Sequence, residues 1–183
     1  MSLRRILPVG LVLAGALGTI ARAQDFPGTR VPSITFFVPE ITTVYRGKPG
    51  TVQLNFRIPA GFHVNSNQPK QEYLKKTELR LDPPTDIAIE KYTYPPGEDR
   101  SFPFAPDDKL SVYSGDFAVS VVVRPLKSVL PTKYAVHGVL KYQACDNAAC
   151  YPPKQLPVSF EVKVVKSANE HHMRIPPQSP YPR

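Results

Sequence analysis

The chain has 183 residues, a formal net charge of +8 and 22 prolines, two of its residues being cysteine. Prolines make up about 12% of the chain against an average near 5%, which argues against long helices and for short strands joined by rigid turns. The chain contains no dense run of Lys and Arg and no aromatic-plus-basic motif, so its positive charge does not indicate nucleic-acid binding.

The amino terminus has the pattern of a secretory signal. In "RRILPVGLVLAGALGTIARA", two arginines precede a short apolar run that ends on Ala-Arg-Ala at Ala23, as in cleaved signal peptides. The run is shorter than the roughly 20 residues that a membrane-spanning helix needs, and proline and glycine interrupt it, so a membrane anchor is the less favoured alternative. We predict a signal peptide over residues 1–23, cleavage after Ala23, and no membrane span in the mature protein.

Composition sets the remaining boundaries. Residues 24–32 are predicted to form a loose leader. The tail, residues 167–183, reads "SANEHHMRIPPQSPYPR" and has four prolines and almost no aliphatic side chains, which is typical of a disordered segment. Residues 33–166 are left as a single folded domain, a length sufficient to bury a hydrophobic core.

Hydrophobic alternation with a period of two dominates this domain. In "TVQLNFRI", for example, four apolar residues alternate with four polar ones, the pattern of a strand with one buried face. Turn signals such as "RGKPG", "DPPTD" and "YSGD" separate the candidates, and "QEYLKK" predicts at most a single helical turn. The predicted strands, in chain order, are residues 33–38, 51–58, 78–81, 87–92, 117–123, 134–144 and 156–165.

Seven or eight short strands with Pro and Gly corners predict an all-β fold, specifically an immunoglobulin-like antiparallel β-sandwich. A barrel is the alternative, because periodicity does not reveal how sheets close.

Both cysteines lie in "YQACDNAACYPP", residues 142–153. Since both flanks are predicted strands, "DNAA" is predicted to be a four-residue hairpin loop, which brings the cysteines within reach of a disulfide. An oxidising compartment lets such a bond persist. A six-residue ring stabilises a fold by only about 2 kcal/mol, and a hairpin tip is open to an attacking thiolate. The residues favour an exchange-active pair and leave a passive clip as the alternative.

The same segment carries a family resemblance. The Tyr-Gln-x-Cys strand end and the Cys-Tyr-Pro-Pro exit of "YQACDNAACYPP" resemble the amino-terminal periplasmic domain of the bacterial thiol:disulfide interchange protein DsbD. Supporting similarity lies in "GFHVNSNQP" and "FPFAPDDKLSVYSGDFAVSVVV", so that the resemblance covers most of residues 31–166. It implies an immunoglobulin-like sandwich whose disulfide alternates between bridge and dithiol.

The resemblance further implies a function. The protein would be a periplasmic disulfide reductase or electron relay with Cys145 and Cys150 as its exchange pair, Cys150 forming the mixed disulfide and Cys145 resolving it. Its donor would be a thioredoxin-like protein or a membrane electron carrier on a separate chain, and its clients would be oxidised periplasmic proteins. The chemistry requires no metal, nucleotide or organic cofactor. The alternative is a secreted β-sandwich binding module with a passive structural disulfide.

Aromatic residues around the pair complete the candidate site. The family covers its disulfide with a loop that bears an aromatic side chain, and by position Phe104, with Phe102 beside it, is the candidate here. Tyr142 and Tyr151 flank the cysteines and are predicted either to line a docking surface or simply to pack within strands. His63 could act as a base near the thiols, but it is interpreted as a polar residue satisfied in a turn.

Overall fold

The computed structural model describes residues 32–166. The predicted signal peptide, nearly all of the leader and the tail lie outside the described residues. Residues 32–166 contain no helix, and therefore none long and apolar enough to cross a membrane. The strands are β1 (Thr35–Phe37), β2 (Thr42–Tyr45), β3 (Gly50–Arg57), β4 (His63–Asn65), β5 (Glu78–Asp82), β6 (Ile87–Thr93), β7 (Glu98–Phe102), β8 (Ala105–Ser114), β9 (Asp116–Pro125), β10 (Lys133–Tyr142), β11 (Ala144–Cys145) and β12 (Lys154–Val165).

These strands form three four-stranded sheets. The first has the order β1-β3-β9-β6, the second β2-β12-β10-β5 and the third β11-β4-β8-β7. Neighbouring strands are antiparallel except for β2 and β12, which are parallel. The first two sheets bury their alternating apolar faces in one shared core, which confirms the predicted antiparallel, immunoglobulin-like β-sandwich.

Strand β3 shows how the alternation builds this core. Val52, Leu54 and Phe56 are buried, while the residues between them are exposed. The Phe56 ring lies 5.3 Å from that of Phe36 and 5.2 Å from that of Phe117, so strands β1, β3 and β9 share one aromatic stack. Aromatic pairs at such separations add to the stabilisation that burial gives.

The third sheet has no counterpart among the predicted strands. Strand β7 is exposed at four of its five positions, and β8 buries four consecutive residues, Leu110 to Tyr113. Neither strand alternates, because β7 lies at a sheet edge whereas β8 packs on the main core on one side and on a small cluster on the other. That cluster comprises Phe102, Leu110 and Val112, with Leu74 against it.

The β10–β12 hairpin ends differently from the prediction. Its ladder finishes at the pair Tyr142 and Lys154, since Pro152 and Pro153 have no N–H to donate to a further rung. The chain then leaves the second sheet, and β11 pairs with β4 in the third. The connection therefore spans residues 143–153, with "DNAA" forming only its tip.

Candidate functional site

A disulfide closes the tip of this connection. The Sγ atoms of Cys145 and Cys150 are 2.01 Å apart and the two Cα atoms 3.9 Å apart. The cysteines face each other as an isolated antiparallel bridge, so the bond joins the end of β11 to the segment that leads into β12. The sequence prediction that the hairpin brings these two residues together is confirmed.

The two cysteines differ sharply in exposure. Cys145 is only 1% exposed because β11 is laid against β4, where His63 is its partner in the ladder. Cys150 lies outside the named strands and is exposed. Of the two residues, Cys150 is therefore the one accessible from solvent.

Asp146 organises the loop between the cysteines. Its Oδ1 accepts hydrogen bonds from the backbone N–H groups of Ala148 and Ala149, each at 2.8 Å. Its Oδ2 accepts one from the Tyr151 hydroxyl at 2.7 Å. The Tyr151 bond, followed by the two backbone bonds, holds the pKa of Asp146 below its usual range. The carboxylate thus ties together both ends of the loop.

Replacing Asp146 with alanine should lower the stability of the oxidised protein at neutral pH. Because the pKa of Asp146 is lowered in the folded state, its ionised form stabilises the fold above the unfolded-state pKa of about 3.9. That contribution is lost as the pH falls through the folded-state pKa. The difference between wild type and Asp146→Ala in urea unfolding should therefore shrink from pH 7 to pH 3. Asp107→Ala, at an exposed position of β8, is the control, and an equal difference at both pH values would contradict this role.

The β7–β8 hairpin reaches the site through stacked rings. Phe102 pairs with Ala105, leaving Pro103 and Phe104 at the turn. Phe102 is 4% exposed, and its ring centroid lies 3.9 Å from that of His63. Phe104 is 38% exposed and stacks on Phe102 at 5.5 Å. The hairpin thus lies on the histidine that pairs with Cys145.

The two tyrosines occupy different environments. Tyr142 is 3% exposed and belongs to the main core, where its hydroxyl accepts a hydrogen bond from the Ile34 N–H at 3.3 Å. This is the strand-packing alternative of the sequence analysis. Tyr151 is partly exposed, and its ring makes an edge contact with Phe62 at 6.0 Å. Of the two, Tyr151 is the one that lies on the surface of the loop.

The interpretation of His63 as a satisfied turn residue is wrong. His63 begins β4, is 2% exposed, and its Nε2 has no hydrogen-bond partner among the described residues. Burial is the largest cause that lowers its pKa to about 4, and the charge of Arg100 acts in the same direction. The ring is therefore neutral at pH 7. The three residues of β4 are all buried, so no alternation marked this strand in the sequence.

A small pocket opens beside the disulfide loop. It has a volume of about 200 Å³, and its lining includes Phe62, His63, Arg100, Phe102 and Asn147. Asn147 lies between the two cysteines, so the pocket connects the loop with the buried histidine. No group of three or more His, Cys, Asp or Glu side chains able to hold a metal ion occurs in residues 32–166.

Residues 35–161 match the sequence model of the family described as thiol:disulfide interchange protein DsbD, N-terminal. The chain belongs to this DsbD N-terminal family. The match includes both cysteines, β4 and the β7–β8 hairpin, so every part of the site described above lies within the DsbD N-terminal region.

Solved structures similar to the chain include two from Neisseria meningitidis. The DsbD N-terminal domain in its reduced form is 25% identical, with 67% of this chain and 82% of that chain covered and a TM-score of 0.38. The complex between the DsbD N-terminal and PilB N-terminal domains gives 22% identity, coverage of 68% and 80%, and a TM-score of 0.40. A type I cohesin from Pseudobacteroides cellulosolvens is 9% identical, with 74% of this chain and 94% of that chain covered and a TM-score of 0.45. No curated protein matches the chain.

Proposed function

We propose that the protein is a periplasmic thiol:disulfide interchange domain in which Cys145 and Cys150 alternate between a disulfide and a dithiol. The observation that carries the proposal is the unequal exposure of the two cysteines, one buried against β4 and one exposed at the tip of a loop. Exchange proceeds by attack of a thiolate on one sulfur and departure of the other. This asymmetry supports Cys150 as the sulfur that is attacked and Cys145 as the sulfur that leaves.

Reduction of the domain follows directly. A donor thiolate attacks Cys150 Sγ, the bond between Cys150 and Cys145 breaks, and its electron pair leaves on Cys145. The donor's second cysteine then attacks the mixed disulfide at the donor's own sulfur, which oxidises the donor and releases Cys150 as a thiolate. Protons from water complete the dithiol. The domain gains two electrons and the donor loses two.

Transfer to a client runs the same steps in the opposite direction. The Cys150 thiolate attacks an oxidised client, and one client sulfur leaves. Cys145 then attacks Cys150 Sγ, re-forms the internal disulfide and frees the reduced client. The donor is a thioredoxin-like protein or a membrane electron carrier, and the clients are oxidised periplasmic proteins. Phe104, on the exposed side of the stacked rings, shields the pair between encounters.

The reduction potential of the Cys145–Cys150 bond tests the proposal. Exchange-active pairs have potentials of about −120 to −270 mV, whereas structural disulfides typically lie below about −300 mV. We expect a value within the first range, measured by equilibration with glutathione or thioredoxin buffers followed by thiol alkylation. A value well below −300 mV, with no reaction towards thioredoxin-like proteins, would instead identify a binding module with a passive disulfide.

A further inference from the structure

His63 presents a buried polar atom that the oxidised protein leaves unused. Its Nε2 is shielded from solvent and has no hydrogen-bond partner among the described residues. An unsatisfied buried polar group destabilises the state that contains it. The Nε2 of His63 is therefore available to a partner that appears in another state of the protein.

The position of His63 indicates that partner. His63 and Cys145 are directly opposite in the antiparallel β4–β11 ladder. Side chains at such a pair project from the same face of the sheet, with Cβ atoms about 4.5–5.5 Å apart. Stacking of Phe102 on the imidazole ring fixes the ring beside this face. The side chain paired with His63 therefore carries the Cys145 sulfur. That sulfur changes from a disulfide sulfur to a thiolate when the disulfide opens.

Burial, followed by the charge of Arg100, lowers the pKa of His63 and keeps the ring neutral. Arg100 on β7 lowers the pKa of His63, as burial does, while Asp146 in the disulfide loop raises it by a smaller amount. Ser114, its ladder partner on β8, carries no charge. A neutral imidazole has one N–H to donate. A disulfide sulfur is a poor acceptor for that N–H, whereas a thiolate is a strong one.

We propose that His63 donates a hydrogen bond to the Cys145 sulfur when the disulfide opens and so stabilises it as the leaving thiolate. The inference rests on the proposed exchange function and assigns it a further residue. Attack at Cys150 breaks the disulfide and places the electron pair on Cys145, where the imidazole N–H meets the new negative charge. Re-oxidation removes that charge and returns His63 to its unpaired state.

The acidity of the Cys145 thiol tests this role without any partner protein. In the Cys150→Ser background, Cys145 is the only thiol, and ultraviolet absorbance follows its ionisation. His63→Phe keeps a ring to stack on Phe102 but removes the N–H, and should raise the pKa of Cys145 by about one unit, a tenfold change in acidity. His63→Gln supplies an amide N–H and should restore most of the effect. His63→Leu is a second variant without a donor, for use if His63→Phe does not fold.

His137→Gln is the matched control. His137 is an exposed histidine on β10 whose Nδ1 is 3.0 Å from the Ser159 hydroxyl, and its replacement should leave the Cys145 titration unchanged. In the protein with both cysteines, His63→Phe should also shift the equilibrium with glutathione towards the disulfide, by up to about tenfold at a pH above the Cys145 pKa, where the reduced protein carries the thiolate.

Two results would overturn the proposal. One is a Cys145 pKa that is the same in the Cys150→Ser parent and in its His63→Phe and His63→Leu derivatives. The other is an equal rise in His63→Phe and His63→Gln, which would trace the effect to packing and not to the donor. Failure of the exchange function would appear separately, as a very low reduction potential, and would leave the titration result standing.

Discussion

The Cys145→Ser variant should accumulate a mixed disulfide through Cys150 when it is mixed with an oxidised thioredoxin-like protein. The remaining sulfur is exposed, and the cysteine that would resolve the adduct is gone. In Cys150→Ser the remaining sulfur belongs to Cys145, which is 1% exposed. Because exchange requires access to the attacking sulfur, we expect on the order of tenfold less adduct from this variant. Non-reducing electrophoresis and mass spectrometry quantify both products.

Denatured protein provides the control for this experiment. In denaturant, both single-cysteine variants should react equally with a maleimide, since the burial of Cys145 depends on the pairing of β11 with β4. A native Cys150→Ser protein that trapped the partner better than Cys145→Ser would reverse the assigned roles. Equal trapping by both would show that the unequal exposure does not direct the reaction.

Phe102→Ala is expected to have the largest effect on stability around the site. The side chain is 4% exposed, stacks on both His63 and Phe104, and anchors the small cluster under the third sheet. Buried Phe-to-Ala changes typically cost 3–5 kcal/mol, and we expect about 3 kcal/mol because this cluster is small. Urea unfolding of the oxidised protein measures the loss. A loss under about 1 kcal/mol would mean that the ring is not part of the structural support.

Phe104→Ala separates shielding from stability. Phe104 is 38% exposed, so its removal should lower the unfolding free energy by less than about 1 kcal/mol. If the ring shields the disulfide, reduction by a small thiol such as dithiothreitol should nevertheless become several-fold faster. Leu126→Ala is the matched control, with 42% exposure and a position just after the end of β9, where its N–H donates to the Asp86 carbonyl, outside the third sheet. An unchanged reduction rate in Phe104→Ala would remove the shielding role.

The sandwich was predictable because its strands bury one face each. Strand β3 was predicted over residues 51–58 and is found over Gly50–Arg57, and β9 extends the prediction of 117–123 only at its ends. In both strands, every second side chain enters the same core. Period-two alternation is a direct consequence of that geometry, so the sequence alone carries the information.

The third sheet was not predictable on the same grounds. A strand buried on both faces, such as β4, shows no alternation, and neither does an edge strand such as β7, where four of five positions are exposed. The cysteine pair could be identified from its spacing and flanking residues. The burial of Cys145 could not, because it results from pairing with His63, a residue far away in the sequence. For the same reason, the sequence offered His63 only as a possible base near the thiols and favoured a turn residue, and its buried position opposite Cys145 could not be foreseen.

The attachment of the two cysteines to different sheets has a consequence for recognition. Cys145 is held in the third sheet through β11, while Cys150 leads into β12 of the second. Both ladders are made by backbone pairing on either side of the bond, so we expect the scaffold to persist when the bond is reduced. Under the proposed exchange function, a docking protein that distinguishes the two forms would then contact residues 146–153, which join the two sheets. Discrimination between the disulfide and dithiol forms would then rest on a few residues of this connection, among them Asp146 and Tyr151, whose hydrogen bond holds its shape.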